Sequence, residues 1–338
     1  MTLRLCDIGE QGLLARLRPL CAPGLLGDDA AVLPFPQKPL IVVTTDMLVQ
    51  DVHFSDRTTS AADVGWRAAA ANLSDLAAMG ATSVGITVCL GLPGETLVEW
   101  IEDLYRGMNE CLNPFGTPII GGDVCRSPII TVAIAAYGES QPDQVIRRSA
   151  ACPGDAILVT GWHGASRAGL ELLLNPEAGA GLSPGDRQRF IQAHQRPIPR
   201  LDVLPVLQRA LADDAVLYPE RGAIAGMDSS DGLADAVLQI CRASKVGALL
   251  DRQHLPFPPA FTPWLSASQR LDWTLYGGED FELVLCLPPA VAEQVCAQLG
   301  GDCALIGTIT EGSEVVLRDS TGQTEDMILT LERGFQHF

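Results

Sequence analysis

The chain has 338 residues, 47% of them hydrophobic, and a mean hydropathy of +0.19. That suffices for about two domains with a substantial core and excludes a disordered chain. Lys and Arg number 23 against 41 Asp and Glu, a formal charge of −18 with a pI near 4.5, so nonspecific attraction to nucleic acid or to an anionic membrane is excluded.

Residues 12–20 read as a short amphipathic helix and 40–45 as a strand. Residues 61–79, rich in Ala and Leu and followed by Gly80, read as a helix. A strand over 82–90 closes at a Gly- and Pro-containing turn, and a helix over 97–112 stops at Asn113-Pro114. Ile119-Ile120 and residues 129–137 complete a run of strands, giving a β-α-β-α-β-β order of α+β type. The polar, turn-rich stretch 138–143 marks a boundary, so the chain divides into a first domain over 1–140 and a second over 148–338.

In the second domain a strand over 156–160 leads into a helix over 165–174, followed by a Gly- and Pro-rich loop over 175–186. Asp231-Gly232 opens a helix reaching about residue 243, and the Pro-rich 255–263 reads as a stiff connector. Residues 281–287, 304–309 and 314–318 read as strands.

Ten cysteines are scattered without a C-x-x-C pair, several inside apolar runs. This fits reduced core thiols in a cytoplasmic protein and argues against zinc. No secretory leader is expected, because the first residues lack a basic start followed by an apolar core. No apolar stretch reaches the roughly 18 residues that a membrane span requires.

The acids carry the chemistry. Asp46, Asp123 and Asp228 each follow an apolar run, which places a carboxylate where a strand leaves the core. Gly27-Asp28-Asp29 and the pair Asn72 and Asp75, which share a helix face, add more. Carboxylates converging on a cleft repel one another unless hard cations lie between them, and that is the chemistry of Mg²⁺ with phosphate. Each motif also has a plainer reading. Thr44-Thr45-Asp46 could make an Asx turn, Gly121-Gly122-Asp123 a hairpin, and Asp231 an N-cap; Asn72 and Asp75 could face solvent. Gly277-Gly278-Glu279-Asp280 is equally a Gly-relieved approach to a ligand or a turn with exposed acids. The only lysines are Lys38 and Lys245, and no P-loop, G-x-G-x-x-G, G-x-S-x-G or H-E-x-x-H motif is present. Positive charge for an anionic ligand must therefore come from metal, arginine or backbone N–H groups.

In order along the chain, these segments resemble the thiamine-monophosphate kinase family, part of an ATP-binding superfamily that includes aminoimidazole ribonucleotide synthetase and selenophosphate synthetase. The resemblance rests on residues 27–32, 44–54, 72–80, Gly121-Gly122-Asp123 with Arg126, 228–232, 277–280 and Gly334-Phe335. It implies Mg²⁺ ligands at Asp29, Thr44, Thr45, Asp46, Asp75, Asp123, Asp228 and Asp231. It implies ATP contacts at Tyr105, Gly122, Asp123, Arg148 and Ser230, and thiamine phosphate contacts at His53, Glu279 and Phe335. The family more often has Asp-Thr-Thr-Arg where this chain has Asp123-Val-Cys-Arg126.

The implied fold is α+β with two domains: an N-terminal sheet-plus-helices domain that pairs across a homodimer, and a C-terminal mixed α/β domain completing the site. The implied reaction transfers the ATP γ-phosphoryl group in line, with several Mg²⁺ ions and no general base, to thiamine phosphate. Two alternatives stand beside it: a kinase or synthetase of the same superfamily with another acceptor, and a non-catalytic acidic metal-binding protein.

Overall fold

The computed structural model describes residues 31–33, 39–214, 224–301 and 303–334. The helix expected over 12–20, the acids Asp28 and Asp29, and Phe335 lie outside them. The strands are β1 (Ala31–Leu33), β2 (Leu40–Val49), β3 (Thr82–Leu92), β4 (Ile119–Arg126) and β5 (Thr131–Ser140) in the first half. They continue as β6 (Ala156–Val159), β7 (Ala225–Asp228), β8 (Gly247–Asp251), β9 (Leu283–Leu287), β10 (Ala304–Thr310), β11 (Val315–Arg318) and β12 (Met327–Ile328). The helices are α1 (Ala61–Ala78), α2 (Val98–Leu112), α3 (Ala165–Leu174), α4 (Pro184–Gln195), α5 (Leu204–Asp214), α6 (Leu233–Ser244), α7 (Ala267–Tyr276) and α8 (Pro289–Leu299).

Strands β1 to β5 form one sheet in the order β1-β2-β5-β3-β4, antiparallel except for the β3–β4 pair. One face carries Val42, Ile86, Val88, Val132 and Ile134 and packs against α1 and α2. Strand β5 alternates between half-buried and buried positions, as a sheet covered on one side requires. The other strands form a mixed sheet in the order β12-β11-β8-β10-β6-β9-β7. Here β6 and β9 are buried at every position. Ile157 and Val284 pack with α6 on one face, while Leu158 and Leu285 pack with α5 and α8 on the other. Continuous apolar runs follow from helices on both faces.

Helix α1 joins the two halves, contacting β2 and β5 of the first sheet and β7 of the second. Its start is capped by Ser60, whose side chain accepts from the Asp63 N–H. It also lies unusually close to α2: a Cβ on Gly65 would fall 1.9 Å from the Leu104 carbonyl oxygen, and one on Gly107 only 1.7 Å from that of Ala62. Only glycine permits that approach.

The fold class is the expected α+β, with three differences of detail. Strands β2 and β4 run past the expected ends, so Asp46 and Gly121-Gly122-Asp123 lie within strands rather than beyond them. A Cβ on Gly122 would meet the Val88 carbonyl oxygen at 2.0 Å, so this glycine is required by the β3–β4 pairing. The loop expected over 175–186 gives way at Pro184 to α4, where Ser183 accepts from the Asp186 N–H. Strand β9 starts at Leu283 instead of 281, because Glu279 and Phe281 hold φ values of +65° and +52°, which no strand adopts.

Two buried histidines make the fold acid-sensitive. His163, in the turn between β6 and α3, is fully buried, and among the described residues neither ring nitrogen has a hydrogen-bond partner. Burial pushes its pKa down to about 3. His194 on α4 falls to about 2 through burial and the charges of Arg67 and Arg167. The unfolded chain takes up these protons first as pH drops, so stability is full above the ordinary histidine value and lost below it. Going from about pH 7.5 to about pH 5 should cost about 2 kcal/mol per histidine. Urea denaturation at both pH values should show this, with His163→Phe recovering about half of the loss; an unchanged pH dependence would count against the assignment.

Candidate active site where the two sheets meet on helix α1

Side chains alternate along β2. Thr44 and Asp46 turn toward α1, together with buried Val42 and Leu48, while Thr45 turns to the open face. The Thr44 hydroxyl donates to the Asp75 carboxylate on α1. The Thr45 hydroxyl instead donates to the Ile134 carbonyl at 2.8 Å. One residue before Asp75, and about 100° around the helix, the Ser74 hydroxyl donates to Asp228 Oδ2 at 2.6 Å. Thus α1 reaches β2 with one residue and the end of β7 with the next.

Asp228 is 1% exposed and accepts a second bond, at 2.9 Å, from the Ser230 hydroxyl. Burial pushes its carboxyl pKa up, the two hydroxyl bonds pull it down, the Asp46 charge raises it, and Arg148 lowers it. Asp46, Asp75, Asp228, Arg148 and Ser230 therefore share one neighbourhood, assembled from both sheets. Asp231 is exposed and lies just outside α6. The helix N-cap is Gly232, which offers no side chain, so the N-cap reading of Asp231 does not hold.

Asp123 lies elsewhere in the chain's fold. The register runs Met47, Ala133, Cys89, Asp123 across the sheet on its open face, opposite the face that carries Asp46. Strand β4 is also three strands from β2, about 14 Å away at ordinary strand spacing. Tyr105, half-buried on α2, packs against the first core; burial pushes its phenol pKa up, and Cys89 adds to the shift.

At the other end of α1, buried Arg67 donates through Nη2 to the His53 carbonyl oxygen at 3.3 Å and also to Glu279 Oε1. It donates through Nη1 to the His194 carbonyl oxygen at 2.8 Å. The His53 ring is fixed by accepting the Val49 N–H at Nδ1, at 3.1 Å. Glu279 has neighbouring acids with different tasks. Asp280 accepts the Gly164 and Ser166 N–H groups at the start of α3, and Glu282 accepts the Thr160 hydroxyl and Arg200. Burial pushes the Asp280 carboxyl up to about 8.

The donors around Asp228 are carboxylates and hydroxyls, hard oxygens of the kind Mg²⁺ accepts, and the mutual repulsion of Asp46 and Asp228 is what a cation relieves. Among the described residues no three acidic, imidazole or thiol groups alone form a metal cage. Mg²⁺ needs no such cage, since it commonly keeps waters and uses one or two carboxylates plus substrate phosphates. The donor set fits the ion.

The chain matches the AIR synthase related protein family, its N-terminal domain over residues 27–140 and its C-terminal domain over 152–320. It is 50% identical over 334 residues to the thiamine-monophosphate kinase of Synechococcus elongatus, covering 99% of this chain and 98% of that one. The chain belongs to the thiamine-monophosphate kinase family. The Escherichia coli K12 member is 35% identical over 93% of this chain and 91% of its own. A structure of AaThiL complexed with AMPPCP and TMP superimposes with a TM-score of 0.81, at 27% identity and 100% coverage of both chains.

Ser74 and Arg67, which contact Asp228 and Glu279, are the neighbours of the predicted residues that sequence reasoning missed. A signal existed for each: Ser74 lies between Asn72 and Asp75, and Arg67 is a lone charge ahead of four alanines.

Proposed function

We propose that the protein transfers the γ-phosphoryl group of ATP to thiamine phosphate, giving ADP and thiamine diphosphate. The supporting observation is the acid neighbourhood of Asp46, Asp75 and Asp228, drawn from both sheets onto α1 and facing Arg148. The acceptor is a phosphate monoester with a second pKa of about 6, mostly dianionic at neutral pH, so direct in-line attack needs no general base. The obstacle is repulsion between two anions. Thr44, Asp46, Asp75, Asp228 and Asp231, with Asp29 and Thr45 as further candidates, would hold Mg²⁺, which would supply the charge neutralisation that lets the phosphates approach. Ser74 and Ser230 fix the orientation of the Asp228 carboxylate, and Arg148 adds positive charge beside it. His53 and Glu279 would meet the acceptor, and Phe335, outside the described residues, is assigned to it by the family resemblance alone.

Gly122 and Asp123 belong with the nucleotide, at a homodimer junction formed by the open face of the first sheet, while Tyr105, packed against the core on the covered side, is assigned to the nucleotide by the family resemblance alone. Met47, 54% exposed, heads the row through Ala133 and Cys89 that leads to Asp123 on that face. The two functional units are 1–140 and 148–338. A cytoplasmic location fits cysteines that are all free among the described residues, and no described helix is long and apolar enough to cross a membrane.

Incubation with MgATP and thiamine phosphate, followed by chromatography, should show ADP and thiamine diphosphate appearing in equal amounts. ATP hydrolysis without loss of thiamine phosphate would point to another acceptor, and no turnover of either to a non-catalytic metal-binding protein.

A further inference from the structure

We propose that Arg67 is the positioning residue of the acceptor end: its one guanidinium fixes the separation of His53 from Glu279, two groups contributed by opposite halves of the chain. The inference rests on the reading that these two residues meet thiamine phosphate.

Arg67 is 3% exposed at its side chain and Glu279 is 35%. A buried guanidinium needs a paired charge and hydrogen bonds, or it destabilises the fold; both terminal nitrogens of Arg67 are bonded, while its buried Nε has no hydrogen-bond partner among the described residues. Its contacts are the Glu279 carboxylate, the carbonyl oxygens of His53 and His194, and the His194 ring, whose nitrogens both lie 3.2 Å from Nη1. These belong to the turn after β2, the loop before β9, and α4. No other single contact described here touches all three segments. His194 stays neutral, as its lowered pKa requires, so the ion pair is one cation with one anion.

The loop carrying Glu279 needs such a clamp. Glu279 and Phe281 both hold positive φ, a strain that persists only where the surroundings over-determine it. Asp280 is spent on the start of α3 and Glu282 on Arg200 and Thr160, while the Glu279 N–H donates to the Ser230 carbonyl oxygen at 2.7 Å. Of the three acids, only Glu279 keeps a third of its side chain open to a ligand. Arg67 engages Oε1, while Oε2, 3.8 Å from His194 Nδ1, is the oxygen that would meet the positively charged ring of the acceptor. The Ser230 contact couples this loop to Asp228, two residues before Ser230.

A lysine at this position would keep the charge but not the planar fork, and could not serve three acceptors lying in different directions. The test is calorimetric titration of wild type, Arg67→Lys, Glu279→Gln and the double variant, with thiamine phosphate and a non-hydrolysable ATP analogue plus Mg²⁺ as separate probes. Arg67→Lys should weaken thiamine phosphate binding about tenfold or more while nucleotide binding stays within about twofold. The double variant should lose clearly less than the sum of the two single losses, because Arg67 acts in part through that carboxylate. Equal weakening of both ligands, undiminished thiamine phosphate binding, or additive losses would overturn the proposal. Should Arg67→Lys not melt cooperatively, Arg67→Gln, which still donates to carbonyls, is judged by the same criteria. Wild type that binds nucleotide but not thiamine phosphate overturns the acceptor assignment beneath the proposal, an outcome distinct from all of these.

Discussion

Asp228→Asn should lower kcat by about a hundredfold to a thousandfold and leave the protein as stable as before or more so. The carboxylate is buried at the end of β7, where loss of water is the largest influence on it and the Asp46 charge adds repulsion. Asparagine keeps the shape and removes the charge. The Ser74 and Ser230 hydroxyls can rotate, one donating to Oδ1 and the other accepting from Nδ2, so no buried polar atom is stranded. Stability should rise by about 1 kcal/mol, as when a strained functional charge is removed. Asp46→Asn should lose activity in the same way with less gain in stability, since Asp46 is only partly buried. Steady-state kinetics at saturating Mg²⁺, set beside thermal melts, checks both. A clear fall in melting temperature with catalysis retained would make Asp228 a structural acid and remove the main support for the proposed reaction.

The acids at 46 and 228 were legible in the sequence because an apolar run ending in Asp marks a strand, although β2 continues to Val49, past Asp46. The helical spacing put Asn72 and Asp75 on one face of α1 without deciding whether it met solvent; Asn72 is fully buried and Asp75 partly so. The elements of the first domain were legible for the same reason, since hydrophobic periodicity reports which face of each element is covered. What stayed hidden depends on partners distant in the chain. Arg67 meets Glu279 across 212 positions and Ser74 meets Asp228 across 154, and no local pattern encodes such pairs. The strand-packing role of Gly122 was hidden for a related reason: a glycine that admits a ligand and one that admits a neighbouring strand look identical until Val88 is seen beside it. The in-strand position of Asp123 escaped too, because two glycines signal a turn more strongly than a strand. Helix α4 was hidden by its polarity; in it only Phe190 and His194 are buried.

Gly107→Ala should destabilise the protein by about 3 kcal/mol, although helix propensity alone would have it gain about 1 kcal/mol. The added carbon would sit 1.7 Å from the Ala62 carbonyl oxygen and 2.5 Å from its carbon, and these are backbone atoms that cannot rotate away. Helices α1 and α2 must part, and α1 is the element on which the site is built. A shift of about 1 Å there lengthens the Thr44–Asp75 and Ser74–Asp228 contacts together, and misplacement of that size can cost about a hundredfold in rate. Gly107→Ala should therefore lower both the urea midpoint and, well below its melting temperature, kcat. Gly94→Ala provides the control, since its Cβ would meet nothing within 4 Å. If Gly107→Ala instead tracked the control, or grew more stable, the close packing of α1 on α2 would not be what holds Asp75 and Ser74 in register with β2 and β7.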